Sequence, residues 1–127
     1  MRMHDKKVLN VSSLSSEERF EFFIRKVADF EVVWGLYDEG WATAALEGSV
    51  LVPLWPEEEF AKRCATDEWS DFWPRKISID DFLYKWLAGM HLDSRLCQVF
   101  PVPGDAGVLI SPFALEVALR EELEKYE

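Results

Sequence analysis

Val32 to Trp55 read VVWGLYDEGWATAALEGSVLVPLW, and the fold class turns on this stretch. Val32, Val33, Trp34, Leu36 and Tyr37 favour an extended chain, and Asp38-Glu39-Gly40 is a short turn in which glycine is free to take positive φ. Trp41 to Leu46 reads as the return strand, Glu47-Gly48-Ser49 as a second turn, and Val50 to Leu54 as a third strand. Two short turns in succession predict a three-stranded antiparallel meander over residues 32–54, since crossover connections need more chain.

Helical patterns flank the stretch. Upstream, Ser15 and Glu18 fit a capping box, in which hydroxyl and carboxylate each satisfy an orphan backbone N–H. Phe20, Phe23, Ile24 and Val27 then recur at helical spacing to about Asp29. Before Ser15, residues 1–13 mix charge with small polar residues without a clear period. They read as a flexible N-terminal arm, in which Val8, Leu9 and Val11 are the material for an edge strand, and residues 14–127 read as a single domain.

Downstream, Pro56 suits the first position of a helix, and Glu57, Glu58 and Glu59 load its opening turn with charge that favours the helix dipole. Phe60, Ala61 and Cys64 supply its inner face. Thr66 to Lys76 reads as an irregular connection. Its three aromatics, Trp69, Phe72 and Trp73, are expected to fold back on the body, because such side chains seldom all face water. Ser78 caps a helix carrying Phe82, Leu83, Trp86, Leu87 and Met90, ended by Gly89 and the His91–Ser94 region. Leu96 to Phe100 reads as a strand, Gly104 to Gly107 as a turn, and Val108 to Ile110 as a short further strand. Ser111 and Pro112 open a last helix with Leu115, Ala118, Leu119 and Leu123 on one stripe. The result is an α+β domain: a small, mostly antiparallel sheet (meander 32–54 plus strand 96–100) packed by about four helices.

The totals agree with one compact unit. The chain has 127 residues, 49% of them hydrophobic, with nine Phe and six Trp, enough for a core without disulfides or metal. Twenty-four acidic residues face 14 basic ones, a net charge of −10. Such a surface repels nucleic acid and anionic lipid, and no window reaches the length of a membrane-spanning helix or a signal peptide. A cytoplasmic protein is expected. Cys64 and Cys97 lie in apolar stretches without zinc-ligand spacing; they read as small buried hydrophobes, although spacing alone leaves a disulfide open.

No active-site motif emerges. His4 and His91 belong to no metal-binding spacing, and the glycines form no phosphate-binding pattern. Three adjacent glutamates on a helix do not converge on one ion, so the Glu57–Glu59 run reads as a solvated helix start rather than a metal site.

The segments RFEFFIRKVADFEVVWGLYDEGWA, VPLWPEEEFA, ISIDDFLYKWLAGM and VFPVPGDAGVLISPFAL together resemble a bacterial family of small proteins classed as domain of unknown function 2750. The resemblance spans Glu18 to Leu119 and implies a bacterial, cytosolic, single-domain protein, without bringing an activity, ligand or catalytic residue.

The residues therefore lead to a non-enzymatic protein-interaction module: an adaptor, regulator or immunity-type inhibitor that uses no cofactor and no metal. Its expected partner-binding residues are Trp69 and Trp73 in the aromatic connection and Glu57, Glu58 and Glu59 on the acidic helix start. The alternative is a small-molecule-binding protein or enzyme with a site assembled from scattered residues such as Tyr37, Trp41, Arg75 and His91. Mimicry of nucleic acid is weaker, because basic residues are interleaved with the acidic ones. A homodimer through an edge strand or the aromatic connection is a further option.

Overall fold

The Ser15 hydroxyl accepts the Glu18 backbone N–H, and the Glu18 carboxylate accepts that of Ser15, each at 3.1 Å. This reciprocal cap opens helix α2, Ser16–Phe30, which ends at Glu31 in the left-handed region. Phe23, Ile24, Val27 and Ala28 are buried along one side. A computed structural model gives the architecture for residues 3–126; Met1, Arg2 and Glu127, and the side chains of Met3 and His4, lie outside the described parts.

The remaining elements follow in chain order. Ahead of α2 lies helix α1, Met3–Ser12. After it come β1 (Val32–Tyr37), β2 (Ala44–Leu46) and β3 (Ser49–Leu54), then the short helix α3 (Glu58–Arg63). A single 3-10 turn, Asp67–Trp69, leads into β4 (Trp73–Ser78). Helix α4 covers residues 79–92 and is interrupted by a π-helical segment at Phe82–Trp86. Strands β5 (Leu96–Val99) and β6 (Val108–Ile110) and helix α5 (Pro112–Glu124) complete the chain. The class is α+β.

The sheet departs from a meander. Strand β1 pairs with β4, antiparallel, as a two-stranded sheet, while a four-stranded sheet runs in the order β2-β3-β5-β6. Of the two expected turns, Glu47-Gly48 joins the β2–β3 hairpin, and Asp38-Glu39-Gly40 closes a single antiparallel bridge between Tyr37 and Trp41. Strands β3 and β5 are parallel. The chain returns to the same sheet edge through α3, β4 and α4, the long crossover that parallel neighbours require. The two sheets are joined at one point. Trp34 and Trp55 exchange both backbone hydrogen bonds, at 2.9 and 2.8 Å, and Leu36 O accepts Ala42 N–H at 2.8 Å. The end of β3 and the turn after β1 thus occupy one edge of β1, and β4 the other.

Three further readings are corrected. Thr66–Lys76 is not irregular throughout, because it holds the 3-10 turn Asp67–Trp69 and its last residues, from Trp73, belong to β4. Residues 3–12 are helical rather than extended: Val8 and Val11, one turn apart, are buried in the core, and α1 packs beside α3. Pro56 precedes α3 rather than opening it, and Glu57 takes the cap position.

One core serves both sheets. Trp55, Phe23, Phe82, Phe100, Leu115 and Leu119 are among its largest fully buried members. Next to it, the Phe100–Gly107 loop is held from several directions. Arg19, only 2% exposed, donates to Phe100 O at 3.1 Å and Leu14 O at 2.7 Å, and pairs with Asp105. The Trp55 indole N–H donates to Pro101 O at 2.9 Å. The bond from Arg19 holds the Asp105 carboxyl below the usual carboxylate range.

Candidate recognition face and groove

The register of β1 and β4 decides which side chains meet. Tyr37 lies directly opposite Trp73, and Gly35 opposite Arg75. Opposite residues project to the same face, and residues two apart on a strand share that face. Trp73, Arg75 and Tyr37 therefore stand together. Gly35 leaves a gap that the Trp41 indole fills: a Cβ there would meet the Trp41 ring at 3.0 Å. Any larger residue would lift the indole off the strand.

Ring contacts tie this face into one unit. The Arg75 guanidinium lies 4.4 Å from the Tyr37 ring centre and 5.6 Å from that of Trp41. Tyr37 meets Trp41 edge to face at 5.1 Å, and Trp41 meets Trp86 of α4 in the same way at 4.6 Å. Trp73, at the outer end, is 71% exposed. The face thus grades from half-buried indoles at Trp41 and Trp86 to a free one at Trp73.

Past Trp41 the face dips into a groove of about 300 Å³ between α4 and the β2–β3 hairpin. Val52 and Met90 floor it beside Trp41 and Trp86, and Lys85, Asp93 and Arg95 stand at its rim. Trp86 closes the π-helical segment, which sets its position on the groove wall. Such segments occur mostly as single turns and often at functional sites.

The expected partner-binding residues are placed unequally. Trp73 is on this face. Trp69 is half-buried; its indole N–H donates to Thr43 O at 3.2 Å and its ring stands edge-on to Trp55 at 6.1 Å. Glu58 and Glu59 are exposed on the first turn of α3. Glu57 is not part of that exposed pair: its side chain is 20% exposed and bonded to Lys7 of α1 at 2.8 Å. Of the scattered set, Tyr37, Trp41 and Arg75 come together, whereas His91 is exposed and does not line the groove. Trp86 is half-buried, within what its place on an apolar helix face implies, but its position on the groove wall and the part of Arg95 are not legible in the sequence. Gly35 within a strand was the available signal, since such a glycine often marks a close approach.

Chemically the face can bind, stack and pair charges. Cys64 and Cys97 are free and buried, and burial pushes their thiols up to about 11 and about 12. Neither holds a useful thiolate near neutral pH. Among the described residues no three His, Cys, Asp or Glu side chains come together to hold a metal ion. No helix among them is long and apolar enough to cross a membrane.

Comparison with curated proteins and with solved structures returned no match to this chain. The model of the family described as "Protein of unknown function (DUF2750)" matches residues 20–119, most of the chain, and the protein belongs to that family.

Proposed function

We propose that the protein is a non-enzymatic protein-interaction module whose recognition face is built from Trp73, Tyr37, Arg75 and Trp41. One observation carries this reading: Trp73 is 71% exposed, yet it stands directly across from Tyr37 and beside an arginine already stacked on two rings. Single exposed apolar residues are ordinary on protein surfaces. A free indole beside the Trp41–Tyr37–Arg75 cluster is different, because these three residue types dominate the binding energy of protein interfaces, and the three clustered side chains are already held by one another. The expected acidic contribution falls to Glu58 and Glu59, since Glu57 is engaged with Lys7.

The test is affinity capture of the tagged protein from the cells that encode it, with the variants Trp73→Ala and Arg75→Glu run beside the wild type. One partner recovered in near-equal amount by the wild type is expected. Both variants should weaken its binding by about tenfold or more while keeping the wild-type urea midpoint. Recovery untouched by either change would move the interface elsewhere. If the wild type recovers only itself, the interaction reading fails, and a site for a small molecule at Tyr37, Trp41 and Arg75 becomes the better account.

A further inference from the structure

We infer that the groove between α4 and the β2–β3 hairpin receives an acidic, aromatic-bearing peptide segment of the partner. Its ring would rest against Trp41 and Trp86, and its carboxylate on Arg95 and Lys85. The inference rests on the interaction reading above and names the partner's chemistry.

The charge pattern is the main argument. With 24 acidic residues against 14 basic ones, a patch taken at random from this surface should be acidic. The groove lining instead carries Lys85 and Arg95 against Asp93, with Asp81 beside Lys85 outside the lining, and Arg75 adds a third cation at the Trp41 ring. Arg95 is half-buried, and among the described residues its side chain has no ion pair, hydrogen bond or ring contact. Its guanidinium is left without an acceptor for its fork of donors. An incoming carboxylate supplies one through short, charge-assisted bonds in the geometry that arginine favours. Lys85 is also available: its bond to Asp81 is 3.5 Å long, with the lysine side chain 77% exposed, so it holds only weakly.

Size and shape narrow the occupant. A volume of about 300 Å³ is at the low end for ligand sites, enough for one aromatic side chain with a neighbouring carboxylate. Gly89 keeps the helix wall open, since a Cβ there would meet nothing within 4 Å. The net charge of −10 slows the approach of an acidic partner. Salt screens that distant repulsion beyond about 8 Å, while the charges at the rim act at contact range.

The experiment uses the full chain labelled with nitrogen-15, read through its indole N–H signals. The probes are an acetylated pentapeptide alternating glutamate and phenylalanine, the same peptide with lysine for glutamate, and free phenylacetate. The glutamate peptide is expected to shift the Trp41 and Trp86 signals saturably, and the lysine peptide to leave them in place. Arg95→Gln should weaken the glutamate peptide by about tenfold. Asp93→Asn, which removes the opposing charge, should strengthen it by about threefold. Equal or tighter binding of the lysine peptide, insensitivity to Arg95→Gln, or no saturable shift into the millimolar range would each overturn the inference. Phenylacetate binding as tightly as the peptide would reassign the groove to a free aromatic acid. Failure here is separable from failure of the interface: a captured partner lost with Trp73→Ala but retained with Arg95→Gln keeps the recognition face and removes the groove.

Discussion

Gly107 shows how narrowly a single position can be specified. Its φ of 78° is in the left-handed region, and a Cβ there would overlap Val99 O and approach Phe100 at 3.0 Å. Both obstacles are backbone, so no rotamer change relieves them. The same loop is anchored by Arg19 and by the Trp55 indole, which leaves it little room to shift as a body. Gly107→Ala is therefore expected to destabilise the fold by about 3 kcal/mol, combining left-handed strain with overpacking. Gly89→Ala is the control. It adds a methyl in open space on a helix, and should stabilise by roughly 0.5–1 kcal/mol. Urea unfolding of both variants checks the pair. Equal midpoints would mean that the loop rearranges freely, contrary to its anchoring.

At the scale of elements, what could be read was local and what could not was paired at a distance. The Ser15–Glu18 box, the Ser78 and Ser111 caps and the Glu47-Gly48 turn are each complete within a few residues, and each forms. The β1–β4 pairing joins residues far apart in the chain, and Pro74 within β4 argues against a strand when only the sequence is in view. The recognition face depends on that pairing. Tyr37, Trp41 and Arg75 could be named as candidates, but their adjacency needs the β1–β4 register, and Trp86 was indistinguishable from a core residue of an apolar helix face. Helix α1 was hidden for a related reason: its helix-period signal is only Val8 and Val11, and much of its support comes from packing near α3. The register also shows how β4 protects its free edge. Trp34 directs its backbone bonds to Trp55, so alternation leaves 74, 76 and 78 facing outward on β4. Two of those positions are Pro74, which has no N–H, and Lys76, a charge, both common defences of an exposed edge. The double variant Pro74→Val, Lys76→Val restores an outward donor and removes the charge. It is expected to associate with rising concentration in sedimentation velocity while the wild type does not. A variant that sediments like the wild type would show that something other than these residues guards the edge.

The whole molecule shares one buried core, and its two cysteines enter it from different elements. Cys97 is fully buried on β5, an interior strand of the four-stranded sheet. Cys64 caps the C-terminal end of α3, 6% exposed, with its S–H directed at Pro101 O at 3.4 Å. Burial raises both thiols, to about 12 and about 11, so at pH 8 the native thiolate population is lower by about two to three orders of magnitude than for a free cysteine. Lack of access reduces reactivity further. Alkylation with iodoacetamide at pH 8 is accordingly expected to leave the native protein unmodified and to add two labels in urea, counted by intact mass. The relative rates carry more information than the count. If the core opens only as a unit, slow native labelling should add both groups together, at the rate or equilibrium set by global unfolding. Early labelling of Cys64 alone would mean that α3 and the Pro101 loop open as a smaller unit, leaving the β3–β5 sheet intact. The Arg19–Asp105 pair would then be a latch on a movable segment rather than part of one core. The two outcomes are distinguished by intact mass and peptide mapping of one sample taken before labelling is complete.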